Sequence, residues 1–258
     1  MEWIAHRGES YDAPENTLAS FELAWRRGAD AIELDVRLTR DGRLITCHDA
    51  DAARTSSKKL VIAEHTLADL RRLDVGRWKG GGFAGQVMPT LEEVLATVPA
   101  GKRAMVEMKV SESEAVEALV DTVRVVDPQR VAVISFDPEL VRTVKQRLPQ
   151  LRAYWLVGPE RDAETGRLVR LPEELIRGAN AVGGDGLDAC AGDWLDAPFI
   201  TQAKSAGLQV YAWTVNDSVV ARRLIGAGID GITTDRCAWL RQRVADAARE
   251  NDLDSRAS

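Results

Sequence analysis

The 258-residue sequence is poor in cysteine and histidine, with three of each. Cys47, Cys190 and Cys237 are odd in number, lie far apart and form no CxxC motif. This pattern argues against a disulfide framework or a tetrahedral zinc site, and it is typical of a protein in a reducing compartment. A strand is predicted to begin next to Met1, which leaves no room for a signal peptide. We therefore expect a cytoplasmic protein.

The sequence also lacks long apolar runs and any excess of positive charge. No apolar run is long enough to cross a bilayer. Lys and Arg number 34 against 40 Asp and Glu, which gives a net charge of −6. A chain without a basic run has no electrostatic footprint for nucleic acid or an anionic membrane. We expect no nucleic-acid binding and no stable membrane association, so any phosphate must be bound at a local site. The sequence gives no indication of oligomeric state.

Short β-rich apolar segments alternate with amphipathic helical segments along most of the chain. The predicted strands are Trp3–His6, Ala31–Val36, Leu44–Cys47, Arg103–Met108, Val131–Ser135, Arg152–Leu156, Ala181–Gly184, Gln209–Thr214 and Gly231–Thr234. The predicted helices include Pro14–Arg27, Leu91–Thr97, Ser113–Val126, Pro138–Leu148, Ile200–Ala206 and Val219–Ile225. Strand followed by helix, repeated, indicates a parallel sheet.

The second and third predicted strands are too close in sequence for a parallel crossover. Only four residues, with the sequence RDGR, separate Thr39 from Leu44, whereas a parallel crossover needs about a dozen. Residues 37–47 are therefore predicted to form a hairpin with an Asp-Gly turn. This hairpin would rise from strand two and return His48 to the level of Asp35.

Without the hairpin arm, eight strands remain, the number found in a (β/α)₈ TIM barrel of about 250 residues. We predict an α/β protein with one barrel domain over residues 1–248. A small insertion at about 49–88 follows strand two and its hairpin arm. Residues 249–258 form a polar C-terminal tail.

Two pairs of polar residues stand two positions apart at predicted strand ends. Glu33 and Asp35 share one face of their strand, and Glu107 and Lys109 repeat this spacing. In a barrel, such inward residues form the active-site floor. Each carboxylate pair there would repel by about 1 kcal/mol at ~4 Å in water, and by about 4 kcal/mol at an effective dielectric of about 20. Mg²⁺ or Ca²⁺ would remove this repulsion, whereas the alternative is salt bridges inside the barrel.

Two of the three histidines stand at strand ends. His6 precedes Arg7 at the end of strand one, and His48 ends the hairpin arm. An imidazole pair suits proton transfer near neutral pH, and Arg7 suits bidentate contact with phosphate or carboxylate. The alternative for His6 is a hydrogen bond within the core. His65 begins an exposed helical stretch with Thr66 as its predicted N-cap, so we expect His65 to be a surface residue.

Asn16 and Trp213 each have two interpretations. Asn16 is either a helix-cap residue or a side chain that fixes the loop carrying His6. Trp213 stands near a strand end, where most aromatic residues pack in the core or against helices. A ring that faces the mouth would instead form an apolar wall for the carbon skeleton of a substrate, and we select Trp213 for this role.

These motifs together resemble the glycerophosphodiester phosphodiesterase family, in particular its bacterial cytoplasmic members. They occur in the family's order and span residues 4–236. The matching strings are His6-Arg7-Gly8, Pro14-Glu15-Asn16-Thr17, Glu33-Leu34-Asp35-Val36, Asp41-Gly42 through His48-Asp49, Pro89-Thr90-Leu91-Glu92-Glu93-Val94-Leu95, Glu107-Met108-Lys109, Trp213-Thr214-Val215-Asn216 and Gly231-Ile232-Thr233-Thr234-Asp235.

The resemblance implies an enzyme that hydrolyses small glycerophosphodiesters to sn-glycerol 3-phosphate and an alcohol with a divalent cation. The implied roles are metal binding for Glu33, Asp35 and Glu107, acid–base catalysis for His6 and His48, and phosphate contact for Arg7 and Lys109. These agree with the roles that spacing suggests. Which alcohol is released stays open, as does the nucleophile, which is either water or the glycerol 2-hydroxyl.

Two other functions fit parts of the same pattern. A phospholipase D-type lyase shares this barrel, but would need an exposed apolar or basic mouth and usually a secretory leader. A non-catalytic barrel that binds phosphorylated metabolites would be expected to have lost some of the histidines and carboxylates. The sequence retains all five, so we expect the hydrolase.

Overall fold

The computed structural model describes residues 1–158 and 171–257 of the chain. The strands are β1 Glu2–His6, β2 Ala31–Leu38, β3 Leu44–Thr46, β4 Arg103–Met108, β5 Val131–Ser135, β6 Arg152–Val157, β7 Gly186–Cys190, β8 Gln209–Trp213 and β9 Gly231–Thr234. The helices are α1 Leu18–Arg26, α2 Leu67–Leu70, α3 Leu91–Thr97, α4 Ser113–Val123, α5 Pro138–Arg147, α6 Pro172–Ala181, α7 Ala197–Ser205, α8 Ser218–Gly226 and α9 Cys237–Ala257. Within the described ranges, no helix combines the length and apolar character needed to span a bilayer.

Eight of these strands form a closed parallel barrel, as predicted. Their order is β1-β9-β8-β7-β6-β5-β4-β2, and pairing of β1 with β2 closes the ring. His6 is in register with Glu33 across β1 and β2, and Asp35 with Glu107 across β2 and β4. Because all eight strands run in one direction, their carboxyl ends meet at one mouth. The predicted TIM barrel is therefore confirmed.

The barrel strands bury side chains on both faces. Outward residues pack against the surrounding helices in one large apolar core. Inward residues fill the barrel, where the rings of Tyr154 and Tyr211 meet edge to face with centroids 5.0 Å apart. Arg103 begins β4 and donates from Nη2 to the Tyr211 hydroxyl at 2.6 Å. The filled interior leaves the mouth as the place for a ligand.

The predicted hairpin arm is confirmed. β3 runs antiparallel to β2 outside the barrel, and Val36 faces Thr46 in the ladder. Gly42 turns the chain with a φ of +75°, which favours glycine. After β3, the Cys47 amide donates to the Asp35 carbonyl at 3.1 Å. This contact returns the chain to the barrel mouth one residue before His48.

The segment between the hairpin and α3 has a small core of its own. It contains α2 and three 3₁₀ turns, Ile62–Glu64, Arg77–Lys79 and Gly81–Phe83. This small core includes Ile45 of the hairpin strand β3, against which the segment packs. Its members are Ile45, Cys47, Ala52, Ile62, Leu70, Leu73, Val75 and Met88. The boundaries predicted for the domain, the insertion and the tail stay predictions. Ser258, the last tail residue, lies outside the described residues.

One predicted strand, Ala181–Gly184, is wrong. Ala181 is the last residue of α6, and the Val182 amide still bonds the Gly178 carbonyl. Gly183 then has a φ of +73°, the left-handed geometry that commonly follows a helix. The strand in this region is β7, which begins at Gly186. A short apolar run beside glycine is as compatible with a helix end as with a strand, and here the helix extends into it.

The first helix begins later than predicted. α1 starts at Leu18, so Pro14 lies in the preceding loop rather than in the first turn. Thr17 is the N-cap, and its hydroxyl and the Ser20 side chain form a reciprocal capping box. Asn16, with a φ of +56°, cannot be part of the helix. The loop is thereby free to reach the barrel mouth.

Candidate active site

The barrel mouth contains a cavity of about 290 Å³. Seven of the nine predicted site residues line it, namely His6, Arg7, Glu33, His48, Glu107, Lys109 and Trp213. The other two, Asp35 and Asn16, are buried directly behind this surface. The structure therefore brings all nine together, while their chemical roles stay predictions. His65 lies in the insertion, where its Nδ1 is 2.8 Å from the Val61 carbonyl oxygen.

Three carboxylates from adjacent strands form a compact buried cluster. One oxygen each of Glu33, Asp35 and Glu107 lies within 4.8 Å of the others. Burial, and then the charge of Asp35, raise the pKa of Glu33 well above its usual range and that of Glu107 to about 7. Burial opposes ionisation of Asp35 too, but Arg7 and Lys109 outweigh it and lower its pKa to about 2.

Two cationic side chains partly balance this cluster. Arg7 Nε lies 3.1 Å from Asp35 Oδ2, and Lys109 Nζ lies 3.0 Å from Asp35 Oδ1 and 2.5 Å from Glu107 Oε1. Arg7 also donates from Nη1 to Glu15 at 2.9 Å, so its charge is shared. Asp35 Oδ1 is buried and makes no hydrogen bond of good geometry among the described residues. Buried oxygens with incomplete charge compensation fit a hard divalent cation.

The chain makes a tight turn directly after His6. Arg7 has a φ of +55° and Gly8 a φ of +82°. A Cβ atom at Gly8 would lie 2.6 Å from the Ser20 carbonyl carbon, so only glycine fits. The turn directs the Arg7 amide at Glu33 Oε2, to which it donates at 2.9 Å. A single local geometry thus joins the end of β1 to a carboxylate of β2.

The His6 ring is oriented by a carboxylate from the far end of the chain. Its Nδ1 donates to Asp235 Oδ1 at 2.6 Å, and its Nε2 lies 3.9 Å from Glu33 Oε2. Asp235 also accepts hydrogen bonds from the Ser10 hydroxyl and the Asn216 amide. Burial alone would raise the pKa of Asp235, but attraction to His6 and the hydrogen bonds from His6, Asn216 and Ser10 together outweigh it and lower the pKa to about 2. Nε2 is thereby the nitrogen presented to the cavity.

His48 has a matching arrangement on the hairpin side. Its Nδ1 lies 2.7 Å from Asp49 Oδ1, and its carbonyl accepts two hydrogen bonds from the Arg37 guanidinium at 2.9 and 3.0 Å. Arg54 bridges Asp49 and Glu15, with shortest contacts of 2.6 Å to each. Burial lowers the pKa of His48, although the Asp49 hydrogen bond opposes this. The net effect favours the neutral form of the His48 imidazole.

Asn16 has features of both predicted roles, that of a helix-cap residue and that of a residue fixing the loop after His6, and it makes a third contact. Its backbone amide donates to the Arg7 carbonyl at 3.0 Å, which fixes the loop after His6. It also stands next to the N-cap Thr17. Its side chain contacts Asp35, donating from Nδ2 to Oδ2 at 2.7 Å and accepting from the Asp35 amide at 3.2 Å. Asn16 thus orients a carboxylate of the cluster.

The far side of the cavity is more apolar. Trp213 and Phe136 meet edge to face, with ring centroids 5.6 Å apart, and Trp213 Nε1 donates to the Asp188 carbonyl at 3.0 Å. Asp188 and Thr233 also line the cavity. Burial, with a smaller contribution from Glu107, raises the pKa of Asp188 to about 8. Trp213 faces the mouth as expected.

Sequence reasoning assigned no role to several residues that orient the site. Asp235 and Asp49 each contact a histidine, and Glu15 connects Arg7 to Arg54. Asp235 follows a strand and Asp49 adjoins His48, so a search for carboxylates at predicted strand ends would have found both. Asp188 lay beyond such a search because its strand was predicted in the wrong place.

Comparisons with known proteins agree with this geometry. A sequence model of the glycerophosphoryl diester phosphodiesterase family matches residues 6–238. The glycerophosphodiester phosphodiesterase of Caldanaerobacter subterraneus subsp. tengcongensis is 32% identical over 250 residues, covering 90% of this chain and 93% of its own. That of Bacillus subtilis is 30% identical over 250 residues, covering 90% and 82%. The structure of an Oleispira antarctica phosphodiesterase in complex with the product sn-glycerol-3-phosphate is 29% identical, with a TM-score of 0.83 and coverage of 95% and 97%.

Proposed function

The chain belongs to the glycerophosphoryl diester phosphodiesterase family, and from this we propose that it hydrolyses glycerophosphodiesters to sn-glycerol 3-phosphate and an alcohol. The observation that carries the proposal is one cavity in which two carboxylate-oriented histidines meet three buried carboxylates. The product held by the Oleispira antarctica phosphodiesterase supports the choice of substrate class. The nucleophile is either water, which gives both products directly, or the glycerol 2-hydroxyl, which would release the alcohol and leave a cyclic phosphate that a water molecule then opens to glycerol 3-phosphate.

Glu33, Asp35 and Glu107 would hold a divalent cation, Mg²⁺ or Ca²⁺. The three carboxylates offer only oxygen ligands, which these hard cations prefer. Bound there, the cation would supply Lewis-acid polarisation of the phosphoryl group. Asn16 and Arg7 hold Asp35 in place from the protein side.

Arg7 and Lys109 would contact the non-bridging phosphate oxygens. Both side chains line the cavity while remaining within ion-pair distance of Asp35. A guanidinium and an ammonium that are already fixed by carboxylates need little reorganisation to stabilise charge that develops in the transition state. Trp213, opposite them, would lie against the carbon skeleton of the substrate.

His6 and His48 would transfer protons at their Nε2 atoms. In each ring a carboxylate accepts the Nδ1 proton, so Nε2 is left to accept or donate a proton toward the cavity. One histidine would deprotonate the nucleophile, and the other would protonate the leaving alkoxide. Such groups each contribute about 10²–10⁴ in rate.

The two alternative functions have less support. A lyase acting on lipid phosphodiesters and a non-catalytic binding barrel share the fold, but the matched relatives are named as phosphodiesterases. A binding protein would also have no use for two histidines that are each oriented by a carboxylate. Hydrolysis of small diesters uses every group in the cluster.

A coupled assay for glycerol 3-phosphate tests the proposal directly. Diesters of glycerol 3-phosphate with choline, ethanolamine, glycerol and inositol would be compared, with and without a chelator and with Mg²⁺ or Ca²⁺ restored. We expect glycerol 3-phosphate release that the chelator stops and one of the cations restores. The proposal is wrong if no diester is cleaved in the presence of either cation. Formation of a cyclic phosphate from a lysophospholipid in place of diester hydrolysis would indicate the lyase.

A further inference from the structure

Two buried polar side chains in the cavity have no role in the proposed reaction. Asp188 on β7 and Thr233 on β9 are each 1% exposed and line the cavity. Asp188 Oδ1 and Thr233 Oγ1 make no hydrogen bond to any described residue. Asp188 also takes part in none of the ion pairs found among those residues. Both atoms therefore have hydrogen-bonding capacity that the protein leaves unused.

Unpaired buried polar atoms of this kind are uncommon because each one costs free energy. A buried donor or acceptor without a partner destabilises a fold, because it has given up its hydrogen bonds to water and gained none in return. Nearly all such groups in native proteins have a partner, and the exceptions often have a functional reason. Two such atoms facing one cavity indicate that a ligand supplies the missing partners.

We propose that Asp188 and Thr233 form a hydroxyl subsite that binds the two free hydroxyl groups of the glycerol moiety of the substrate. The inference rests on the proposed function, since it takes the substrate to be a glycerophosphodiester. The subsite would select the glycerol end of the diester, whereas the cation cluster and Arg7 would act on its phosphate.

The chemistry of the two side chains favours hydroxyl groups over the phosphate. A phosphate needs cationic partners, which neither Asp188 nor Thr233 can supply, and the cationic side chains of the cavity, Arg7 and Lys109, belong to other parts of the barrel mouth. A hydroxyl can donate to Asp188 Oδ1, and it can either donate to or accept from the Thr233 hydroxyl. An alcohol oxygen therefore satisfies both orphan atoms without introducing charge.

The position of the two residues favours a ligand with two hydroxyls. β7 and β9 are separated by β8, and adjacent strands lie about 4.8 Å apart. One oxygen with two hydrogen bonds of about 2.7 Å joins atoms at most about 5.4 Å apart, whereas a neighbouring pair of hydroxyls reaches further and so suits residues on alternate strands. Trp213 of β8 lies between them, and its bond to the Asp188 carbonyl positions that strand. An indole face beside two polar atoms suits the short carbon chain of glycerol.

Calorimetric titration with two phosphate monoesters distinguishes binding at this subsite from binding of the phosphate group. The probes are sn-glycerol 3-phosphate and propyl phosphate, which has the same chain length without hydroxyls, each titrated into the full-length protein with Mg²⁺ or Ca²⁺. The variants are Asp188→Ala, Asp188→Asn and Thr233→Val. Thr143→Val is the matched control, because Thr143 lies on α5 and bonds only its own helix at Glu139.

We expect Asp188→Ala and Thr233→Val each to weaken glycerol 3-phosphate binding about tenfold, as loss of one good hydrogen bond would. Asp188→Asn should recover part of the loss, because its carbonyl still accepts a hydrogen bond. Affinity for propyl phosphate should change less than twofold in every variant. Thr143→Val should bind both probes like the wild type.

Several results would overturn the subsite. Equal losses of affinity for both probes would show that the two residues only maintain the shape of the cavity. No loss of affinity for either probe would show that they bind water and not the glycerol hydroxyls. Since Asp188→Ala truncates a fully buried side chain, Thr233→Val provides a second, nearly isosteric test if the first variant does not fold. Binding needs no turnover, so selective loss in a protein that cleaves no diester would reject the proposed reaction but keep the subsite.

Discussion

His6 Nδ1 lies 2.6 Å from Asp235 Oδ1, although 229 residues separate the two in the chain. Closure of the barrel makes this contact possible, because β1 pairs with β9. The carboxylate fixes the His6 ring at one nitrogen and leaves the other toward Glu33 and the cavity. The orientation of His6 at the end of the first strand therefore depends on a residue that follows the last strand.

Replacing Asp235 with asparagine should destabilise the protein in a pH-dependent way. The pKa of Asp235 falls from 3.8 to about 2 on folding, so the ionised carboxylate stabilises the fold fully above about pH 4. This contribution is lost as the pH falls toward 2. Urea unfolding of wild type and Asp235→Asn should show a clear difference at pH 6 that shrinks steadily below pH 4. A difference that stays constant down to pH 2 would contradict the ion-pair origin.

Removing either cavity histidine should lower turnover by about 10² or more, the usual contribution of a positioned proton-transfer group. The change is His6→Ala or His48→Ala, measured as kcat on the best diester substrate. His65→Ala is the matched control, since His65 lies in the insertion and contacts the Val61 carbonyl. Its rate should stay near that of the wild type. A near-normal rate in either cavity variant would reject the acid–base assignment.

Binding of the divalent cation should release protons below neutral pH. Burial, and then Asp35, raise the pKa of Glu107 to about 7, and a carboxylate must lose its proton to become a ligand. The apparent affinity should therefore rise at least about tenfold from pH 6 to pH 8. Calorimetry in two buffers of different ionisation enthalpy would count the protons released at pH 6.

Two variants check that this effect belongs to the cluster. Asp35→Asn should abolish cation binding, because it removes the most strongly ionised of the three carboxylates. Glu117→Gln removes an exposed carboxylate paired with Arg147 and should leave the binding unchanged. A pH-independent affinity in the wild type would argue against Glu107 as a ligand.

Replacing Asn16 should weaken cation binding and activity by about 10–100-fold, the usual effect of losing a partner that orients a metal ligand. Asn16→Ala removes the amide that donates to Asp35 Oδ2 at 2.7 Å, and it also places alanine at a φ of +56°. Asn16→Gly removes the same amide without the backbone strain. Both variants should lose cation affinity equally, whereas Asn16→Gly should melt closer to the wild type. Retained affinity in the glycine variant would assign Asn16 to the backbone alone.

Gly8→Ala should be far more destabilising than Gly42→Ala. Both glycines have a positive φ, which costs about 1–2 kcal/mol for alanine. At Gly42 an added Cβ meets nothing within 4 Å, whereas at Gly8 it would lie 2.6 Å from backbone of Ser20. We expect a loss of about 3 kcal/mol or more at Gly8, since overpacking adds to the strain. Denaturant unfolding measures the free energy of unfolding of both variants. Equal losses would show that Ser20 of α1 moves away from the added Cβ of residue 8 without cost.

The strand pattern and the hairpin were predictable because they depend on neighbours in sequence. The RDGR turn after Thr39 is too short for a crossover, and the structure has the antiparallel β2–β3 pair there. The period of two also placed Glu33 and Asp35 on one face. The sequence pattern gave the wrong prediction where a short apolar segment is compatible with either a strand or a helix end. Ala181–Gly184 was predicted as a strand, but α6 extends into this segment because the residues before Ala181 already form a helix.

The sequence by itself determined the barrel, the set of nine candidate site residues and their likeness to one enzyme family. These follow from periodicity and from motifs a few residues long, which operate within one strand and its loop. Only the tertiary structure decided that Asp235 orients His6, that Asn16 contacts Asp35, and that Asp188 and Thr233 line the cavity with an oxygen that bonds no other residue in the described part of the chain. Such contacts join segments that are far apart in the chain. Closure of the barrel brings the strand ends together, and the loop before α1 and the hairpin bring Asn16 and His48 to the same mouth.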